Sequence, residues 1–462
     1  MTNGNRNSHK NYIGPLVMLA LTALLGIVLV SFGNGSYGEP AGGRDAGPAA
    51  ETLPPESAEI HTGAVGQVPA VPEGGLRIAV ASDLHLDPDN TDRSGFQVQA
   101  GYNLELTDAL LRDVRERGST VLLLTGDLVN GGKPHRHEVL TEKLRRAEAG
   151  GLQIFVLPGN HDLAPVSQTE FAEYYAEFGF SEAFSRDRSS LSYSVLLDRL
   201  MLIMLDTAGY RAGSIDLPGA PERSNNEAFL SSGTLTWVEE QLKAAREQGL
   251  PVLCAGHYNL LTSISREPGS GFYLENGDRL AALLRRYGVP LYLSGHMHIQ
   301  TVMQEEGLTE LLTEYLLSYP TGYSLLDVTE HELRFTPARV DVEGWAREAG
   351  VTDPVLLRFS AWQEENLYRY CRDAVAAMSA RNPLREDELE DAAKFFNAVM
   401  LSYWDGTLSR KRDMLETMPG CRPFFRCAEG YSYGWWLQEL MDSASPLLQG
   451  FSLSWGGTRA AG

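Results

Sequence analysis

Cysteine is scarce in this chain of 462 residues: there are four, too few for a disulfide-built scaffold. Basic residues are also short, with 39 Lys and Arg against 60 Asp and Glu and a formal net charge of −21. No nucleic-acid partner is expected, because holding a phosphate backbone needs a basic surface that releases counterions. Only residues 13–32 form an apolar run long enough to span a bilayer. What remains is ample: 43% apolar residues is enough for two cores, and the length suits two folded domains plus a tail. Of the cysteines, Cys254 falls in a run that reads as buried strand and is expected as a free thiol. Cys421 and Cys427 flank a proline-containing stretch and are available to each other for a disulfide, with Cys371 open to either partner.

Histidine carries the functional signal. Half of the ten histidines fall inside short motifs that recur in one order: Asp83-x-His85, Gly126-Asp127, Gly159-Asn160-His161-Asp162, Gly256-His257 and Gly295-His296-x-His298. The others (His9, His61, His135, His137, His331) lie in tail or polar segments that read as solvated surface. A lone Asp-x-His or Gly-Asp has little weight, but each motif here ends an apolar run that reads as a buried strand: 76–81, 120–124, 154–157, 252–255 and 291–293. Helix-period segments at 100–117, 137–149, 234–248 and 277–287 lie between them. Strand–helix alternation predicts an α/β core with a largely parallel sheet, whose ligands collect beyond the carboxyl ends of the strands. Every motif sits at that end. Imidazoles, carboxylates and one amide oxygen, with no thiolate, make a donor set for a pair of divalent ions, Mn, Fe or Zn, and point to a metal-dependent hydrolase.

This order of motifs resembles the calcineurin-like metallophosphoesterases over roughly 76–340, and the resemblance implies that family's sandwich of sheets flanked by helices. Asp162 in the fourth position of its motif looks more like the class III cyclic nucleotide phosphodiesterase branch. Thr125-Gly-Asp-Leu-Val-Asn-Gly-Gly and the following His-Glu-x-x-x-x-Lys-Leu segment are similar to secreted Gram-positive members with a helical C-terminal extension. Position by position, the resemblance implies that Asp83, His85 and His298 hold one metal, that Asn160, His257 and His296 hold the other, and that Asp127 bridges them. Two such cations about 3.5 to 4 Å apart polarise a phosphoryl oxygen and bring the pKa of a shared water near neutrality. His161 is then left near the leaving oxygen as general acid or charge stabiliser. Asp162 is a candidate for fixing that imidazole, or for capping the loop.

Two departures stand out. Members of this branch often carry a second His after the ligand His of the fourth motif, and here Tyr258 stands there. The Gly-Asp-x-Val-Asp-Arg-Gly pattern, whose Arg clamps phosphate in serine/threonine phosphatases, is replaced by Asn130-Gly131-Gly132, which weakens a phosphoprotein phosphatase reading.

The ends of the chain speak to location. Residues 13–32 contain no charge; Arg6 and Lys10 precede them, while Glu39, Asp45, Glu51, Glu56 and Glu59 outnumber Arg44 after them. The positive-inside rule keeps the stub cytoplasmic and exports the rest, the run acting as a transmembrane signal anchor. A cleaved signal peptide is the alternative, disfavoured by the length of the run and by poor cleavage sites near 31–35. No Cys follows the run, which argues against a bacterial lipoprotein. Residues 33–75, rich in Gly, Pro, Ala and Glu, read as a disordered tether. The catalytic domain is expected over 76–345 and a small helical domain over 346–462, where strand signals vanish beyond Leu356. Stripes at helical spacing (Leu356, Phe359, Leu367, Cys371, Val375, Met378; then Leu389, Ala392, Phe396, Val399, Tyr403; then Trp436, Leu437, Leu440, Met441) predict a bundle whose aromatics are core.

The expected protein is therefore a membrane-anchored, extracytoplasmic phosphodiesterase acting on a cyclic nucleotide or another extracellular phosphodiester. The alternatives are a phosphomonoesterase or nucleotidase, and an inactive envelope scaffold whose helical domain docks a protein partner.

Overall fold

The computed structural model describes residues 59–60, 69–93, 98–163, 165–208, 216–217, 228–261, 273–443 and 445–454. The apolar run 13–32, most of the tether, and His9 and His61 lie outside the described residues. Among the described residues no helix is long and apolar enough to cross a membrane.

All five motif-bearing runs are strands (Leu76–Ala81, Val121–Leu124, Gln153–Val156, Val252–Gly256 and Leu291–Ser294), and the intervening segments are helices (Asn103–Glu116, Pro134–Ala149, Ser232–Glu247 and Gly277–Arg286). They do not make one largely parallel sheet. The described residues form two seven-stranded mixed sheets. The first runs Glu59–Ile60, Phe451–Ser454, Glu332–Arg339, Gly322–Val328, Leu76–Ala81, Val121–Leu124, Gln153–Val156; the second runs Thr301–Glu305, Leu308–Leu312, Leu291–Ser294, Val252–Gly256, Leu200–Leu205, Tyr193–Leu197, Ser185–Arg186. Strands linked through helices pair in parallel, whereas those joined by a tight turn return antiparallel, as Thr301–Glu305 with Leu308–Leu312 and Gly322–Val328 with Glu332–Arg339.

Side-chain alternation explains why the central strands are apolar throughout. In the second sheet Leu202, Met204, Leu253, Ala255, Leu291 and Leu293 join the core shared with Ile78, Val80 and Leu123 of the first. Their neighbours Met201, Ile203, Cys254 and Tyr292 pack on the other face with Val238 and Leu242 of one helix and Leu280 of another. Both faces are dry, so both sets of positions must be hydrophobic.

The C-terminal region is helical as expected: Phe359–Ser379, Glu386–Trp404, Leu408–Glu416, Cys421–Cys427 and Ser432–Ser443. The three stripes are buried apart from the partly buried Leu389, and Phe396 packs on Phe424 with ring centroids 5.0 Å apart. Strands do not stop at Leu356, however. Phe451–Ser454 returns to the first sheet and pairs antiparallel with Glu332–Arg339, and Glu59–Ile60, from the segment read as tether, pairs outside it. Four residues are too few for a period of two to register in sequence. All four cysteines are free, and Cys421 and Cys427 begin and end one helix. Six residues of helix span roughly 9 Å, beyond the ~7 Å that a disulfide bridges.

Candidate metal centre

The motif loops converge where the carboxyl ends of the two sheets meet. Beyond their strands, the Asp83-x-His85 and Gly126-Asp127 loops stay zippered by backbone hydrogen bonds, Asp83 N to Gly126 O at 3.0 Å and His85 N to Asp127 O at 2.9 Å. Gly295 N donates to His257 O at 3.0 Å and ties the two loops of the second sheet. The sheets are then joined through site residues: His296 N donates to Asp83 Oδ2 (3.0 Å) and His257 Nδ1 to Thr125 O (2.8 Å). That last bond fixes the ring so that Nε2 faces inward.

Backbone conformation marks the same residues. Asp83, His85, Asp127, His296 and His298 all have positive φ, between 40° and 67°, a region that costs a non-glycine residue energy and persists where the surroundings over-determine it. In the Asp-x-His and His-x-His motifs both outer residues are left-handed, so their side chains converge. The glycines are there for close approach: a Cβ on Gly159 would lie 2.2 Å from Asp127 Oδ1, and one on Gly126 2.5 Å from His257 Nδ1.

Two overlapping clusters result, Asp83, His85, Asp127 and His298 in one and Asp127, His257 and His296 in the other, with potential ligand atoms in each within 4.8 Å. Asp127 Oδ2 lies 3.4 Å from both His85 Nε2 and His257 Nε2. Asn160 joins the second cluster, its Oδ1 3.2 Å from His257 Nε2. In the first, His85 Nε2 and His298 Nε2 are 3.2 Å apart, and Asp83 Oδ1 lies 3.1 Å from His298 Nε2. Among the described residues, buried His298 Nδ1 has no hydrogen-bond partner, and Asp83 Oδ1, for all its closeness to His298 Nε2, makes no directed hydrogen bond. Orphaned buried donors and acceptors are costly, and a set of oxygen and imidazole atoms crowded together in this way fits divalent cations. The fold therefore carries a candidate dinuclear metal site.

Buried electrostatics agree. Burial favours the neutral form of Asp127, but the imidazoles of His257, His161 and His85 outweigh it and hold the carboxyl well below its usual range. Burial likewise works against His257, yet Asp127 and Asp83 push it up to about 9. His161 goes the other way, pushed down to about 4 chiefly by burial. Its backbone N donates to Asp127 Oδ1 at 2.8 Å, and its ring meets that of His85 edge-on at 4.7 Å, so it borders the cluster without joining either ligand group.

Asp162 takes the second of its two expected roles. Its carboxylate accepts from Val129 N (2.9 Å) and Gly159 N (2.8 Å) and so cross-links the Gly-Asp and Gly-Asn-His-Asp loops, leaving the His161 ring alone. Burial and the Asp127 charge push it up to about 7. Removing the carboxylate in Asp162→Ala strands two buried N–H groups, so thermal or urea unfolding should show a loss of ~2–4 kcal/mol, at ~1–2 kcal/mol per stranded group. A variant of unchanged stability but impaired turnover would return Asp162 to the His161 ring.

His137 is the clearest correction. Read as solvated, it is fully buried, with Nδ1 2.9 Å from Tyr175 Oη, Nε2 3.0 Å from Asp162 O, and its ring stacked on Tyr174. The ring of Tyr258 lies buried against that of His296, centroids 4.0 Å apart. Sequence reasoning passed over Tyr315, which stacks on His298 at 4.5 Å and 19° and meets His85 edge-on at 5.2 Å. The available signal was its place just past Leu308–Leu312, whose parallel pairing with Leu291–Ser294 emerges only in the fold.

Two mixed sheets with paired histidine and carboxylate loops at their joint carboxyl ends define a metallophosphoesterase-type domain. The family model of the calcineurin-like phosphoesterases matches residues 76–300, the segment that carries all five motifs. Human tartrate-resistant acid phosphatase type 5 is 33% identical over 163 residues, 34% of this chain and 47% of its own. A probable glycerophosphodiester phosphodiesterase, GpdQ, of Arcobacter nitrofigilis is 23% identical over 234 residues, 50% of this chain and 76% of its own. Among solved structures, a dimetal phosphatase from Danio rerio superposes with a TM-score of 0.45 at 12% identity, over 57% of this chain and 95% of its own. The chain spans about half the length of the acid phosphatases it matches.

Proposed function

We propose that the protein is a dinuclear-metal phosphodiesterase whose substrate is a cyclic nucleotide or related extracellular phosphodiester. The observation that carries the reading is the Asp127 Oδ2 atom, 3.4 Å from an imidazole nitrogen of each cluster, as a bridging carboxylate requires. Asp83, His85 and His298 would hold one ion and Asn160, His257 and His296 the other, with Mn, Fe or Zn suited to these donors. The bound pair would supply Lewis acidity and a water of lowered pKa. The chain's own residues do the rest. His161 faces the reaction from beside Asp127 and stabilises the leaving oxygen. Asp162 holds the loops that present Asn160 and His161.

The fourth-position Asp162 supports the cyclic nucleotide branch, and the GpdQ match supports diester chemistry. The acid phosphatase matches favour a monoesterase as the second reading. The charge pattern around 13–32 supports an anchored enzyme with its catalytic domain outside the cell.

The test is a turnover screen of the Mn-loaded full chain against bis-p-nitrophenyl phosphate, p-nitrophenyl phosphate and 2′,3′- and 3′,5′-cyclic nucleotides, with the impermeant diester also given to intact cells. Diesters should be cleaved faster than the monoester, and intact cells should cleave the added diester. Preference for the monoester would replace the diesterase reading, activity confined to lysates would overturn the topology, and a metal-loaded protein inert to every ester would leave the scaffold alternative.

A further inference from the structure

Tyr315 is built into the candidate metal centre from outside the five motifs. A parallel bridge between Ser82 and Tyr315 sets its backbone against the Asp83-x-His85 loop. Its ring covers His298 face-on and His85 edge-on, so it forms a wall on the Asp83/His85/His298 side. The residue is only half-buried, and its hydroxyl has no hydrogen-bond partner among the described residues. Other tyrosines of this core spend theirs: Tyr193 on Val156 O, Tyr292 on Tyr258 O, Tyr323 on Asp113, Tyr403 on Gln300 O. A phenol packed this tightly by its ring, yet open at its oxygen, is a donor waiting for an acceptor from solution.

The loop that carries it is held rigidly. Ser318 donates to Tyr315 O through both its N (3.2 Å) and its Oγ (3.1 Å). Thr321, at the end of the loop, accepts from Gln99 at 2.8 Å and from Gln363, in the helix Phe359–Ser379, at 2.6 Å. The helical region thereby braces one wall of the site, and a braced donor loses little freedom when its acceptor arrives.

We propose that Tyr315 is a substrate-binding residue whose hydroxyl donates a hydrogen bond to a non-bridging oxygen of the bound phosphoryl group. The inference rests on the phosphoester reading above and names how this chain grips the group.

Tyr315→Phe keeps the ring that packs on His298 and removes only the donor. In the Mn-loaded full chain, metal content and thermal midpoint should match the parent, while the affinity for inorganic phosphate, read by calorimetry, falls roughly 10- to 100-fold, as for loss of a hydrogen bond to a charged group. kcat/KM for bis-p-nitrophenyl phosphate should fall by a similar factor. Unchanged phosphate affinity would overturn the proposal, as would loss of metal in the Phe variant, which would place the hydroxyl with the ligands. Tyr315→Ala should in addition loosen metal retention, since His298 loses its stack. Because phosphate binding needs no turnover, a parent enzyme inert to all esters would defeat the functional reading and leave the role of Tyr315 still measurable.

Discussion

Asp127→Ala should abolish turnover and empty both halves of the metal centre. One of its oxygens faces His85 and His257 at 3.4 Å each, and the other accepts from His161 N at 2.8 Å. A single truncation therefore removes a ligand from each cluster and the anchor of the loop carrying Asn160 and His161. Elemental analysis after dialysis should find well under one metal per chain, with activity at background. Two metals retained per chain would end the bridging assignment. Asp127→Asn is the useful companion, because it keeps the shape and an acceptor oxygen but loses the charge, and should recover the fold with weakened metal affinity.

For His161→Ala the expected result is opposite in pattern: metal content near normal and turnover lower by roughly 10² to 10⁴, the usual worth of a positioned acid or donor. The side chain lies beside His85 and outside both ligand groups, so its loss leaves each donor set whole. The fall should be smaller for p-nitrophenolate, which develops less charge as it departs, than for an alkoxide leaving group. Equal losses across leaving groups would assign the ring to substrate positioning.

Both variants were legible before any coordinates, for a physical reason. A strand buried on two faces must be apolar throughout, so its end is sharp in sequence, and Asp83, Asp127, Asn160, His257 and His296 each sit within a few residues of such an end. The helical stripes ending at Tyr403 and Met441 were legible because burial on one face imposes a 3.6-residue period. What escaped depends on distant packing. His137 lies in the same polar helix as the exposed His135, and contacts distant in sequence, with the Asp162 carbonyl, Tyr174 and Tyr175, distinguish them. Tyr315 follows a strand whose partner is fixed by a hairpin reversal. The orientation of the Asp162 carboxylate, toward backbone N–H groups and away from a neighbouring ring, is set by a loop from another strand, Val129.

The strand Phe451–Ser454 has a bearing on the order of synthesis. It is the last described piece of chain to leave a ribosome, yet it covers the flank of Glu332–Arg339, with Phe451 packed on Phe335 at 5.1 Å. Until it emerges, the first sheet ends in an unpaired row of N–H and C=O groups beside an uncovered aromatic, a template for pairing with another nascent chain. A premature stop anywhere in the helical region would make that transient condition permanent. Such a product would keep every candidate ligand of the metal centre and would expose a sheet edge open to pairing with other chains.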